Sequence, residues 1–249
     1  YERLHRSCRI MRIGLPYTVD QLIEITGEVL RRSKLREDAY IRPLAYMSSE
    51  LIGVRLHDLE SSFTMFAVPF GNYVDVEGGL SVCGSAWRRV DDNAIPARCK
   101  ITGSYVNAAL AKTEAQEAGF DEAIVLTHDG HVSEGSAANL FLVRDGRLIT
   151  APATDNILEG IVRSSVMRLA ADEGIPVDIR SIDRTELYLA DELFLCGTGV
   201  QMSAITSVDH RSIGSGQPGP VTQRLSRIYF EAVRGNVERY KGWVTPVYT

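Results

Sequence analysis

Four lysines stand against twenty-three arginines in this chain of 249 residues: Lys34, Lys100, Lys112 and Lys241. A lysine attacks a carbonyl carbon as a neutral amine, and a desolvated setting favours that form. Lys34 follows an Arg-rich helix end, Lys112 falls mid-helix and Lys241 lies near the C-terminus. Lys100 alone sits in a semi-apolar connection, Ile95-Pro-Ala-Arg-Cys-Lys-Ile-Thr-Gly-Ser-Tyr105, and there it is a candidate for Schiff-base chemistry. A solvated lysine with its stem lying on apolar surface would show the same spacing. Glu134 ends a hairpin strand in His131-Val-Ser-Glu-Gly-Ser-Ala-Ala-Asn139. Small residues follow it, so a ligand can come close, and a carboxylate there can hold a protonated heterocycle nitrogen. A surface glutamate capping a turn would look alike.

Two segments suit a phosphate. Leu158-Glu-Gly160-Ile161-Val162-Arg163 opens a helix, whose free N–H groups and dipole attract anions. Gly197-Thr198-Gly199 follows an apolar run, and backbone amides in such a turn can form an anion nest. As structural features alone, Gly160 is a helix N-cap and Gly197 a turn residue. His128-Asp-Gly-His131 reads as a hairpin turn rather than a metal pair, since no third ligand is evident. There is no third glycine of a dinucleotide fingerprint after Gly199, no phosphate-binding G-x-x-x-x-G-K run and no G-x-S-x-G elbow.

These residues need elements to hold them. Thr18-Val-Asp-Gln21 has capping-box spacing, and Val19, Leu22, Ile23, Val29 and Leu30 share one helical face, which predicts a helix from about Thr18 to Leu35. Tyr40 to Pro43 and Phe63 to Val68 read as strands. Pro69 to Asn72 and Glu77 to Gly79 break the pattern, which predicts a small domain over 1–70, a linker over 71–80 and a larger domain over 81–249. In the later part Ser104 to Ala118 reads as a helix stopped by Gly119. Asp129-Gly130 and Asp145-Gly146 mark two hairpins. A helix runs from about Ile161 to Gly174, Ile175 to Ile182 and Glu192 to Cys196 read as strands, and Asp183 to Leu187 resembles a helix start. Ser212 to Pro220 reads as a loop, and Pro220 opens a last amphipathic helix with Val221, Leu225, Ile228 and Tyr229. Strict β-α-β alternation is missing, so the class is α+β with a mixed sheet rather than a Rossmann fold.

Composition sets the outer limits. A 45% hydrophobic and 24% charged chain is globular, and a net charge of −5 offers no basic excess for nucleic acid or an anionic membrane. No apolar run is long enough to cross a bilayer. Cys8, Cys83, Cys99 and Cys196 are too dispersed for a disulfide framework or a metal ligand set, which predicts reduced thiols and a cytoplasmic location. Tyr1-Glu-Arg-Leu-His5 reads like the middle of an element, as though a start were missing.

In order along the chain, Arg3-Leu4-His5-x-Ser7, Tyr40-Ile-Arg-Pro43, Ile95-Pro96 through Lys100 to Tyr105, Glu114-Ala115 with Gly119, Ser133-Glu-Gly135 with Asn139-Leu-Phe141, Leu158-x-Gly-Ile-x-Arg163, Leu187 to Glu192, Gly197-Thr198 and Gly219-Pro220 resemble blocks of the branched-chain aminotransferase family, the fold type IV pyridoxal-phosphate enzymes. The resemblance spans essentially the whole chain. It implies a smaller N-terminal α/β domain and a larger C-terminal mixed-sheet domain (an α/β two-domain form of the α+β class), pyridoxal 5′-phosphate as cofactor, and transfer of the amino group of leucine, isoleucine or valine to 2-oxoglutarate. It further implies a homodimer or higher homo-oligomer.

By the same resemblance Lys100 bonds the cofactor and then acts as general base, and Glu134 pairs with the ring nitrogen. Arg3 and the amides of Ile161, Val162 and Thr198 hold the phosphate, with Gly160 and Gly197 in the cradles. Tyr105 meets the phenolic oxygen and Leu158 packs on the ring face. Tyr40, Arg42, Phe70 and Tyr73 surround the substrate, whose carboxylate would meet the turn amides at Thr198 and Gly199. Val162 stands where the family commonly has threonine, Gly199 where it has alanine, and Gln201-Met202 depart from the usual run, so substrate range follows less closely than reaction type. Relatives of the same fold act on D-amino acids or R-amines, or release pyruvate as aminodeoxychorismate lyases. A non-catalytic member is the remaining alternative, and the presence of Lys100, Glu134 and Arg3 argues against it.

Overall fold

The computed structural model describes residues 1–71 and 78–248. The chain divides into two compact units, Tyr1–Tyr73 with Thr245–Thr249, and Val74–Val244. The first contains α1 (Glu2–Met11), α2 (Val19–Ser33), β1 (Ala39–Met47) and β2 (Ser61–Pro69). The capping box of α2 is present: the Thr18 hydroxyl accepts from the Gln21 N–H while the Gln21 side chain accepts from the Thr18 N–H. β1 and β2 pair antiparallel, Tyr40 opposite Val68 and Arg42 opposite Phe66. The division drawn from sequence assigned the last residues to the later domain; here the Tyr248 hydroxyl donates to the carbonyls of Leu30 and Leu35, and the Arg36 guanidinium lies 4.3 Å from the Tyr248 ring centre. These contacts serve a carbonyl in the last turn of α2 and one just beyond it, which ties Thr245–Thr249 to the first unit.

The second unit is built on a nine-stranded mixed sheet: β3 (Leu80–Arg88), β4 (Glu122–Leu126), β5 (Val132–Gly135), β6 (Asn139–Arg144), β7 (Arg147–Thr150), β8 (Val177–Ile179), β9 (Glu192–Gly197), β10 (Gln201–Val208) and β11 (Arg211–Ser212). Its order is β5-β4-β3-β10-β9-β6-β7-β8, with β11 beside β10. The pairs β3–β4, β3–β10 and β7–β8 are parallel and the others antiparallel. Three α-helices among the described residues belong to the same unit: α3 (Tyr105–Glu117), α4 (Ile161–Asp172) and α5 (Pro220–Val233).

Alternation along the strands makes two cores. Leu140, Leu142, Leu193 and Leu195 join Val82, Ile124 and Ile205 in one cluster. Phe141, Val143, Phe194 and Cys196 point the other way, against Val162, Val166 and Leu169 of α4 and Leu225 of α5. A strand buried on both faces reads as a continuous apolar run, as Asn139-Leu-Phe-Leu-Val143 does after its first residue. α3 closes over β4 through Ala111, Ala115, Ala123 and Val125. Both Asp-Gly turns form as expected, with Gly130 at φ 96° and Asp145-Gly146 at 50° and 73°. β5 and β6 are far apart in sheet order, yet the Gly135 N–H donates to the Ala138 carbonyl at 2.7 Å. The sheet therefore curls until these two strands meet.

Two expectations change. The strand expected over Ile175 to Ile182 shrinks to Val177–Ile179, because its partner β7 is only four residues long and Pro176 has no N–H to give. Ser212 does not belong wholly to a loop, since it pairs with Ser207 in β11. Asp183 does start a helical turn, a 3-10 helix over Arg184–Leu189.

Candidate active site

The meeting of β5 and β6 creates the polar centre of the second unit. Glu134, next to the end of β5, is 3% exposed. One carboxylate oxygen, Oε1, lies 2.7 Å from Nη2 of Arg89. The other, Oε2, accepts from Asn139 Nδ2 at 2.8 Å and from the Leu158 N–H at 3.2 Å. Asn139 Nδ2 also donates to the Leu158 carbonyl at 2.8 Å. Glu134 is thus no surface turn cap. Burial pushes its pKa up to about 7, against the opposing pull of Arg89, the Leu158 N–H, Lys100 and Arg163.

Gly160 belongs to the same construction for a steric reason. Its φ of −67° suits any residue, but a Cβ there would overlap Asn139 Oδ1. The missing side chain is space that the amide of Asn139 fills. Gly160 is also the N-cap of α4, which has no capping side chain, so the first-turn amides beginning at Ile161 and Val162 stay free of a side-chain cap. Val162, Val166 and Leu169 are buried against Phe141 and Phe194, which fixes where this helix begins. Asn139 pairs with Cys196, so β9 ends beside β6 and its turn at Gly197, Thr198 and Gly199 comes alongside Ala138. Thr198 is exposed in that turn.

Lys100 approaches from the connection before α3. Its Nζ donates to the Tyr105 hydroxyl at 2.7 Å. Short bonds shape this connection: Cys99 N–H to the Pro96 carbonyl at 3.0 Å, Ile101 N–H to Cys99 at 3.0 Å and the Ser104 hydroxyl to Ile101 at 2.7 Å. The desolvated amine expected from sequence is not found, since Lys100 is exposed; the chain turns so tightly here that Cys99 faces inward and Lys100 outward. Lys100 is nonetheless close enough to Glu134 to help hold that carboxyl charged.

The structure thus groups Lys100, Tyr105, Glu134, Leu158, Gly160, Ile161, Val162, Gly197, Thr198 and Gly199 on one unit. Arg3, Tyr40, Arg42 and Phe70 are in the other. There Arg3 is half-buried on α1, the Tyr40 and Phe70 rings lie 5.2 Å apart, and the Arg42 guanidinium is 5.0 Å from the Tyr40 ring centre. Tyr73 lies outside the described residues. Sequence reasoning passed over the roles of Arg89 and Asn139. Arg89 follows another arginine at a strand end and its partner is 45 positions away, so spacing offered no signal. Asn139 stood inside a quoted block without a role. An apolar hollow of about 630 Å³ lies elsewhere, along α3, lined by Trp87, Val106, Leu110 and Thr113. It holds neither Lys100 nor Glu134, so the chemistry of the site does not depend on it.

Comparison with known proteins identifies the family and the fold. The model of the family described as amino-transferase class IV matches residues 1–208. A probable branched-chain-amino-acid aminotransferase of Aquifex aeolicus is 46% identical over 249 residues, 100% of this chain and 80% of that protein. The crystal structure of the branched-chain aminotransferase of the archaeon Thermoproteus uzoniensis with norvaline superposes with a TM-score of 0.95 at 43% identity, covering 99% of this chain and 82% of that one. The branched-chain amino acid aminotransferase of Thermobaculum terrenum in its pyridoxal-phosphate form gives 0.93 at 38% identity, covering 100% and 81%. With its family model matched over most of its length and its fold shared at these scores, the chain belongs to the class IV aminotransferases, with the fold type IV architecture.

Proposed function

We propose that this chain is a pyridoxal 5′-phosphate-dependent aminotransferase that moves the amino group of leucine, isoleucine or valine to 2-oxoglutarate. The observation that carries it is a buried carboxylate, Glu134, held from both sides and within electrostatic reach of the amine of Lys100. The donor set fits the cofactor group by group. A free amine suits its aldehyde, a buried carboxylate its ring nitrogen, and the start of α4, uncapped by any side chain, its phosphate. The relatives' names support the same substrates, and the norvaline complex and the pyridoxal-phosphate form among them support the same donor class and cofactor.

Bound there, the cofactor would supply an electron sink for the charge left on the substrate Cα when its proton departs. The chain's residues do the rest. Lys100 Nζ takes the Cα proton and returns it, as a general base on a flexible stem. Tyr105 accepts a hydrogen bond from that Nζ and so limits where the amine can wander. Glu134 would hold the proton at the ring nitrogen. The amides of Ile161, Val162 and Thr198 would hold the phosphate, and the family resemblance proposes Arg3 for the same group. Leu158 would pack on the ring face and the amides at Thr198 and Gly199 would meet the donor's carboxylate, while the family resemblance proposes Tyr40, Arg42 and Phe70 for its side chain. Division into domains near 71–80 belongs to the same reading, as does a cytoplasmic location, which rests on four free thiols. A homodimer or larger homo-oligomer is supported by the exposed apolar face of α3, where Val106 is 65% exposed beside Trp87 and Leu110.

A donor panel of leucine, isoleucine, valine, D-alanine and R-1-phenylethylamine with 2-oxoglutarate tests the assignment. Reaction with the branched-chain L-amino acids is expected. Turnover of D-alanine or the amine alone would reject it, as would pyruvate release without an acceptor. Borohydride trapping followed by peptide mapping should label Lys100.

A further inference from the structure

Glu134 can hold a proton on a bound ring only while it is itself ionised, and its surroundings oppose that. It is buried between β5 and β6, and a carboxylate moved out of water is driven toward its neutral form. The groups that face it come from four places. Arg89 stands at the exit of β3, Lys100 before α3, Arg163 on α4, and Cys196 on β9, whose thiol burial keeps neutral. Among the described residues only Arg89 meets a carboxylate oxygen with a charge, at 2.7 Å. Lys100 reaches Tyr105 instead, and Arg163 gives its bonds to Thr150 Oγ1 and the Ala151 carbonyl.

Arg89 is also held too firmly to be an incidental partner. Its N–H donates to the Leu126 carbonyl at 2.8 Å, and its Nε to the Asn156 carbonyl at 3.0 Å. Asn156 sits in the left-handed region at φ 59°, a conformation asparagine tolerates. Its side chain donates to Asp91 Oδ1 at 2.9 Å and accepts from the Asp92 N–H at 3.3 Å. Asp92 in turn accepts from the Ala97 N–H at 2.9 Å, three residues short of Lys100. One frame therefore fixes the guanidinium and the connection that carries the amine. A carboxylate offers about four acceptor positions. Arg89, Asn139 and Leu158 supply three donors, which leaves one position for a ring N–H.

We propose that Arg89 is a positioning residue of this enzyme, keeping Glu134 charged and turned so that its remaining acceptor position meets the cofactor ring nitrogen. The inference rests on the function proposed above, yet its first half concerns Glu134 alone and is measurable without any cofactor.

The test follows the Glu134 side-chain carboxyl carbon by NMR in the full chain, assigned by Glu134→Gln, with and without pyridoxal 5′-phosphate. In the cofactor-free chain Arg89→Met and Arg89→Gln should both raise the titration midpoint by about one to three pH units, the size expected for losing an adjacent opposite charge. Arg89→Lys should bring it most of the way back. In the loaded enzyme the same two variants should move the acid limb of the kcat/KM profile upward and weaken cofactor binding about tenfold or more, as loss of a charge-assisted contact does. If Arg89→Met does not fold, Arg89→Gln keeps donors without the charge and gives the same reading. An unchanged midpoint in either folded variant overturns the proposal. A raised midpoint in a chain that binds no pyridoxal phosphate upholds the role of Arg89 over Glu134 and rejects the proposed function instead.

Discussion

The carboxylate end and the amine end of the site are built on opposite plans. Glu134 is buried and meets three donors from three separate segments, each tied to something else. Lys100 is exposed and gives one side-chain hydrogen bond, to Tyr105 five residues along. A group that must stay charged and aimed while chemistry proceeds beside it gains from being preorganised. A group that must form a bond, release it and carry a proton needs freedom around its stem. Under the proposed function, the contrast teaches that rigidity in this site is distributed according to task.

The largest break comes at the amine. Lys100→Ala should lower transamination by at least about a thousandfold, as loss of a covalent nucleophile does, and leave the fold unchanged because the side chain is exposed. Single-turnover kinetics and circular dichroism check the two halves.

At the carboxylate end the expected effect is on stability as well. The folded-state pKa of Glu134 is raised to about 7 by burial. Its contribution to folding is therefore fully present below the unfolded value near 4.5, and is lost as pH rises through the folded value. The cofactor-free chain should lose on the order of 3 kcal/mol across that window, and Glu134→Gln should flatten the curve. Urea unfolding from pH 4 to 8 measures it.

Gly160→Ala should cost about 1–3 kcal/mol of stability, the range for overpacking. A side-chain amide usually swings aside cheaply, but Asn139 cannot do so without releasing Glu134 and the Leu158 carbonyl. Weakened phosphate binding should accompany it, read from the dissociation constant of pyridoxal 5′-phosphate. The smallest effect belongs to Tyr105→Phe. It removes one hydrogen bond to Lys100, worth about 0.5–1.5 kcal/mol, so kcat should fall about tenfold or less with Lys100 still trapped by borohydride. A loss as large as that of Lys100→Ala would mean that the amine end is as tightly organised as the carboxylate end.

Legibility in the sequence follows the range of the contacts. α2 begins after Thr18 because the Thr18–Gln21 box closes within four residues, and α5 begins at Pro220 for an equally local reason. The Asp-Gly turns carry their own backbone preference. By contrast β3 and β10 give no clear strand signal, although they lie side by side in the middle of the sheet. Their runs, Leu-Ser-Val-Cys-Gly-Ser-Ala-Trp-Arg and Gln-Met-Ser-Ala-Ile-Thr-Ser-Val, are diluted by small and hydroxyl residues, and their parallel pairing joins segments some 125 positions apart. Lys100 and Glu134 emerged because their types are chemically uncommon in their settings and because the surrounding blocks resemble a family. Arg89 and Asn139 did not, since nothing near them in the chain says what they will touch.

Taken by itself, the chain settles its helix starts, its tight turns and the residue types able to react, for each depends on torsion preferences and bonds spanning a handful of residues. Whether Glu134 is a surface cap or a buried anion was left open by those forces. Curling of the sheet answered it by bringing β5 against β6, with Arg89 against Glu134, an arrangement set by the burial of two apolar cores. The electrostatic character of a carboxylate is a property of its neighbours, and those neighbours come from distant parts of the chain.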